Sequence, residues 1–342
     1  MKKTVLVAMS GGVDSTYALI SLLNEGYDVV GVTFKINNNE NTLNSIEDAA
    51  RIAKLYNIKH LVVDYTEVFN KEVVNYFIET YRSGKTPNPC VICNRKIKFG
   101  ELDLLRRKLG LDYIATGHYV NVEKLNGNFY IKKAKDIKKD QSYFLNQVSK
   151  DILPFCLFPL GNVQNKEYVR KFLADNNIDV AQKKDSQEIC FIEDNDFANF
   201  LKEYIPEKKG IIKDIDGKTI GNHKGTSFYT IGQRKGLGIS CSNPLFIKKI
   251  DPIKNEITVC EEEFLYFNTV KIKNVNILAA EFLDKSLTGK IRYRSKEYMI
   301  EKITQNQDYY EVKFIENQKS VTPGQYLVVY HNDYLVLGGE IT

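Results

Sequence analysis

Residues 4–119 alternate between short apolar runs and amphipathic stretches, and this alternation limits the fold more than any other feature. TVLVAM (4–9), YDVVGVTF (27–34), HLVVDY (60–65) and YIATGHY (113–119) read as strands. TYALISLLNEG (16–26), SIEDAARIAKLYN (45–57) and the basic NRKIKFGELDLLRRKLG (94–110) read as helices. A further helix is expected from Thr66, with Phe69, Val73, Phe77 and Tyr81 on its apolar face. Gly26 is placed to end the first helix, and Thr66 to cap the third. Strand–helix alternation with right-handed crossovers builds a parallel, doubly wound α/β sheet, whose ligands sit at the carboxyl ends of the strands.

The second half differs. Two helical stretches, KEYVRKFLADNN (166–177) and DFANFLKEYI (196–205), precede short alternating runs broken by Gly, Pro and Asn. These are FIKKID (246–251), EITVCE (256–261), VKIKNVNIL (270–278), GKIRYRS (289–295), YYEVKFI (309–315) and YLVVYHN (326–332). Even spacing of short strands predicts small β-barrels or β-rich modules. The expected division is 1–200 for the α/β domain, 201–270 for a central β-rich domain and 271–342 for a terminal β-barrel.

Between the first strand and first helix lie Ala8, Met9, Ser10, Gly11, Gly12, Val13, Asp14 and Ser15. Two glycines let backbone N–H groups curl toward phosphate oxygens, and the helix N-terminus adds its positive dipole end. Asp14 and Ser15 stand at the mouth, suited to a Mg²⁺ ion and a phosphate oxygen. The Lys-Ser/Thr ending of a Walker A loop is missing, and so is G-x-G-x-x-G. S-G-G-x-D-S resembles the PP-loop of ATP pyrophosphatases, whose fold is adenine nucleotide alpha hydrolase-like. Those enzymes cleave ATP between the α and β phosphates and leave an adenylated substrate.

Six cysteines in 342 residues do not make a disulfide framework. Only Cys90 and Cys93 are close, while Cys156, Cys190, Cys241 and Cys260 are isolated. A closed four-cysteine zinc site needs a second pair, and His60, His118, His223 and His331 show no ligand spacing. The net charge of +5 permits an RNA partner without demanding one. No run approaches about 18 uncharged apolar residues. The initial VLVAM is too short for a signal sequence and leads straight into the glycine loop, so a cytoplasmic protein is expected.

Six further motifs stand in order: TPNPCVICN (86–94), ATGHY (115–119), KDQSYFL (139–145), DSQEICFI (185–192), YTIGQRKGLGI (229–239) and TPGQ (322–325). With the PP-loop they resemble the bacterial tRNA 2-thiouridylase family (MnmA type), from one end of the chain to the other. The resemblance implies a transferase that uses ATP and Mg²⁺ to adenylate O2 of the wobble uridine of tRNA. Sulfur from a cysteine persulfide then displaces AMP. It assigns the persulfide to Cys190 and the second nucleophile to Cys93, with a transient disulfide between them. It also implies a sulfur-donor partner, such as a cysteine desulfurase. Thiolate attack on a sulfur–sulfur bond is ordinary exchange. Arg95, Lys96 and Lys98 at a helix start are expected to lower the pKa of Cys93.

The family commonly carries an acid where this chain has Cys90. Two readings of Cys90 stay open at this stage. It replaces the acid beside the target base, or it joins Cys93 and Cys190 as ligands of a 4Fe-4S cluster. By the same resemblance Phe34 and Gly117 flank the nucleotide. Asn88, Pro89 and Cys90 meet the flipped-out base. His118, Lys139, Asp140, Gln141, Arg292, Tyr293 and Gln325 meet the tRNA. The rival reading, a PP-loop synthetase adenylating a carboxylate, has no use for Cys93 and Cys190.

Overall fold

A computed structural model of the chain describes residues 2–183, 189–192, 196–239, 241 and 243–342. Five parallel strands form the first sheet: β1 (Thr4–Ala8), β2 (Asp28–Lys35), β3 (Lys59–Asp64), β4 (Tyr113–Ala115) and β7 (Cys156–Leu157), in the order β3-β2-β1-β4-β7. The order reverses at β1. The crevice between the carboxyl ends of β1 and β4 is therefore the switch point where such sheets bind ligands. Val5, Leu6 and Val7 are wholly buried, as expected for a strand covered on both faces.

α1 (Val13–Asn24) follows β1, and α2 (Glu40–Leu55) follows β2. α2 starts five residues before the expected stretch, because the Asn39 side chain accepts from Thr42 N and caps it. Thr66 does not cap the third helix but is its first residue: the N-cap is Tyr65, which makes no side-chain cap hydrogen bond, and Asp64 Oδ1 accepts from Thr66 N at 2.9 Å. That helix runs as α3 (Thr66–Phe69), a π-helical segment (Asn70–Val74) and α4 (Asn75–Arg82). The next runs as α5 (Pro89–Cys93), a second π-helical segment (Asn94–Glu101) and α6 (Leu102–Leu109). The cysteine pair thus lies inside the helix rather than ahead of it.

An antiparallel hairpin follows, β5 (Val120–Leu125) and β6 (Asn128–Lys133), turning on Asn126 and Gly127 with φ of 50° and 85°. Both φ values are positive, as an Asn-Gly turn between strands requires. α7 (Lys166–Asp175) and α8 (Phe197–Tyr204) complete the helical part. The central sheet comprises β8 (Gly210–Lys213), β9 (Thr219–His223), β10 (Phe246–Asp251) and β11 (Glu256–Cys260), ordered β10-β11-β8-β9.

The last unit contains β12 (Tyr266–Ile277), β13 (Thr288–Lys290), β14 (Tyr298–Gln305), β15 (Tyr310–Lys319), β16 (Tyr326–His331) and β17 (Tyr334–Ile341). Pairing of β12 with both β15 and β17 closes it into a barrel. β12 runs through position 270, where the sequence reading divides the chain. β6 also pairs with the start of β17, so the hairpin from the first half extends the barrel's sheet. Lys133 fixes it there with an ion pair to Glu297 at 2.7 Å and its ammonium 4.4 Å from the centre of the Tyr330 ring. Among the described residues no helix is long and apolar enough to cross a membrane.

Candidate functional site

The glycine loop occupies the switch point. Gly11 has φ +64°, and a Cβ there would lie 2.6 Å from Ser45 O and 2.7 Å from Asp48 Cβ, so only glycine fits. Gly12 caps α1 with no side-chain hydrogen bond. The first-turn N–H groups are thus available to an anion. Met9 and Val13 are buried, and Met9 is tied to β2 through Val32 O and Thr33 Oγ1. Ser15 is buried too. Its hydroxyl accepts from Ser10 N at 3.1 Å and donates to Gly12 O, so it folds the loop rather than standing at the mouth. Asp14 is at the mouth. Its Oδ1 accepts from Lys166 Nζ at 2.6 Å and Tyr119 Oη at 2.8 Å. Lys166, distant in sequence, thus brings to the loop the positive charge that its own sequence lacks.

Gly117 closes the crevice from β4. A Cβ on it would sit 2.8 Å from Asp14 C and Ser15 N. The next residue, His118, is 8 % exposed. Thr116 Oγ1 lies 2.8 Å from its Nδ1, and its ring packs against Phe99. Burial, with Lys98 nearby, depresses its pKa to about 3. Phe34, at the end of β2, stacks edge-on with Tyr65 at 4.8 Å and packs against the apolar cluster that holds Cys93.

The sulfur end adjoins His118. Cys93 is buried, whereas Cys90 and Cys190 touch solvent while protein surrounds them on their other sides. Cys90, Cys93 and Cys190 all feel the Lys98 ammonium. Lys98 follows Cys93 by five residues. In a regular α-helix it would point about 140° away, but the π-helical segment makes i and i+5 successive turns of one face. Crowding works against the Lys98 charge, yet attraction to the three sulfurs prevails and its pKa is raised. The expectation of a low Cys93 pKa is overturned. Burial pushes the thiol up to about 12, and Lys98 only partly offsets this. Burial raises Cys90 and Cys190 as well.

Among the described residues no three His, Cys, Asp or Glu side chains are arranged to hold a metal ion. Asp185, Ser186, Gln187 and Glu188 of the Cys190 motif lie outside the described residues. Cys156 and Cys260 are buried, and Cys241 is exposed.

Residues 3–194 match a family model described as a tRNA methyl transferase HUP domain. Residues 198–261 match its PRC-barrel domain, and 267–341 an aminomethyltransferase beta-barrel domain. The tRNA-specific 2-thiouridylase MnmA of Clostridioides difficile is 40% identical over 100% of this chain and 98% of its own length. That of Clostridium acetobutylicum is 41% identical over 100% of both. That of Aquifex aeolicus is 39% identical over 98% of both. The chain belongs to the tRNA-specific 2-thiouridylase family. A solved tRNA thiolase of Methanococcus maripaludis with its 4Fe-4S cluster is 17% identical, with a TM-score of 0.38 over 55% of this chain and 60% of that one. That likeness is too slight to bear on the cofactor of a 2-thiouridylase.

The residues that the 2-thiouridylase resemblance gives to tRNA fall into two groups. Asn88, Pro89 and Cys90 open α5 at the sulfur end, and Lys139, the first residue of KDQSYFL, ends a turn in which its N–H donates to Asp136 O. The others face inward. Asp140 is buried and accepts from Ala134 N, Ser142 N and Ser142 Oγ. Gln141 Oε1 accepts from Tyr119 N. Arg292 and Tyr293 are not on a strand, because β13 ends at Lys290. Arg292 donates to Ser320 O and Thr322 Oγ1, and Tyr293 stacks on Phe144 with ring centres 4.4 Å apart. Gln325 donates to Thr86 O and Pro87 O. In the free protein His118, Asp140, Gln141, Arg292 and Gln325 therefore serve packing and hydrogen bonding within the chain.

The sequence reading named Lys98 only as one of three cations beside Cys93, and it missed Lys166 as a site residue. Lys166 carries no local signal, since its partner is 152 positions away.

Proposed function

We propose that this protein is an ATP-dependent tRNA-uridine 2-sulfurtransferase working in the cytoplasm. The observation that carries the reading is the adjacency of two chemistries. The PP-loop touches Gly117, His118 follows it, and His118 and the three thiols share Lys98.

The residues present fit ATP. Gly11, Gly12 and the open N-terminus of α1 would hold its phosphates, while Phe34 and Gly117 would flank the nucleotide. Asp14 would hold Mg²⁺, which neutralises phosphate charge when bound. The uridine O2 attacks the α-phosphorus, pyrophosphate leaves, and C2 becomes electrophilic. The outer sulfur of a Cys190 persulfide attacks C2 and AMP departs, leaving the base joined to Cys190 through a disulfide. The Cys93 sulfur attacks Cys190 Sγ, giving 2-thiouridine and a Cys93–Cys190 disulfide, with no net change in oxidation state for that exchange. Lys98 stabilises whichever sulfur carries negative charge. The persulfide is supplied by a donor protein such as a cysteine desulfurase, and tRNA is the second substrate.

The three thiols as described do not form a ligand set, so no step runs through an iron–sulfur cluster. Cys93→Ser and Cys190→Ser should abolish thiolation while tRNA binding persists. Full activity in both variants would refute the reading. Iron and sulfide analysis after anaerobic purification tests the cluster directly, and stoichiometric iron required for thiolation would replace the persulfide route.

A further inference from the structure

The segment Thr86-Pro87-Asn88-Pro89 enters the cysteine helix with two prolines, which have no N–H and force the residue before each into an extended conformation. Such a segment must find its hydrogen bonds elsewhere. The other two units provide them. Thr86 N donates to Pro323 O at 2.9 Å. Gln325 Nε2 donates to Thr86 O at 3.1 Å and Pro87 O at 2.9 Å. Thr86 Oγ1 shares a 3.1 Å hydrogen bond with Thr230 Oγ1. Gly324, at φ +89°, lies so close that a Cβ would come within 2.7 Å of Thr86 O. On the other side, a Cβ on Gly84 would lie 3.1 Å from Ile250 and Pro252 of the central unit.

We propose that Gln325 and Thr230 are positioning residues for the cysteine helix, through which the barrel and the central unit set where Cys90 and Cys93 stand. The inference rests on the sulfur-transfer reading above. One amide donating to two successive carbonyls fixes both the position and the pitch of the chain just before Pro89. tRNA docked on the β-rich units would bear on the thiols through these contacts, without reaching the thiols themselves.

The test uses the full chain with Gln325→Ala, Thr230→Val and Thr230→Ser. Three quantities are measured: tRNA affinity at fixed salt, single-turnover thiolation from persulfide-loaded protein, and the rate of Cys90 alkylation by iodoacetamide without tRNA. Thr230→Val should leave tRNA affinity unchanged and lower the single-turnover rate roughly 10- to 100-fold, Gln325→Ala should lower that rate by far more than it lowers tRNA affinity, and both should alter Cys90 alkylation. Thr230→Ser, which keeps the hydroxyl, should retain the wild-type rate. Equal losses of tRNA affinity and thiolation in Gln325→Ala would make Gln325 an RNA contact and overturn the proposal. So would wild-type rates in both disruptive variants. If Gln325→Ala does not fold, the Thr230 pair decides the matter alone. Wild-type protein that makes no 2-thiouridine would sink the sulfur-transfer reading, while the alkylation comparison would still test positioning.

Discussion

Cys93 should be a poor nucleophile in the resting protein. Burial holds its pKa at about 12, against about 8.5 for a free thiol. At any pH below about 8 that difference lowers the thiolate fraction by about 3.5 powers of ten. A more basic thiolate is also more reactive, with a Brønsted slope of about 0.45, which restores about 1.6 powers. The net deficit is about a hundredfold. Native protein is pulsed with iodoacetamide between pH 6.5 and 10, and the Cys93 peptide is quantified by mass spectrometry against the unfolded chain. Because the pKa is raised, the thiolate appears only as pH climbs toward 12, so the rate should rise tenfold per pH unit with no plateau in that range. Steric shielding changes the height of this profile but not where it levels off. A plateau below pH 9 would refute the reasoning. Lys98→Met should lower the Cys93 profile further. The order of events in the proposed mechanism follows: the persulfide on Cys190 reacts first, and Cys93 acts once a disulfide is in reach.

Three other perturbations are equally defined. Gly11→Ala places a side chain at φ +64°, costing about 1–2 kcal/mol before any clash, and should lower the urea midpoint and raise the KM for ATP. Asp14→Asn removes the ion pair with Lys166, and tRNA-dependent AMP release should fall roughly 100-fold while tRNA binding persists. The folded pKa of His118 is depressed to about 3, so its stabilising effect is present above about pH 6.5 and lost as pH falls toward 3. That group should contribute a slope of about 1.4 kcal/mol per pH unit in acid denaturation, and His118→Gln should remove it.

The parallel sheet was legible because buried strands and amphipathic helices leave distinct periodicities, and the glycine loop because few backbones need two adjacent glycines there. The hairpin of Val120–Lys133 was overlooked although Asn126-Gly127 between alternating runs is a strong short-range signal. GKIRYRS (289–295) does not form a strand beyond Lys290, since alternation over a few residues does not show where pairing stops. The pKa of Cys93 went the wrong way because neighbouring cations are visible in sequence and burial is not. The π-helical register that brings Lys98 to the sulfurs has no short sequence signature. The inward roles of Arg292 and Gln325 depend on partners brought in from elsewhere in the chain, whereas Asp140 is held by its near neighbours Ala134 and Ser142.

The attachment of β6 to β17 bears on how the chain can be divided. Cutting near residue 200 would look safe, since it follows a family-model boundary. The fragment left behind would carry a two-stranded ribbon whose outer edge has lost its neighbour, together with the Lys133 ammonium stripped of Glu297 and Tyr330. Bare edges recruit other chains. The amino-terminal half expressed alone should therefore self-associate, and regain solubility when the barrel is supplied as a separate polypeptide.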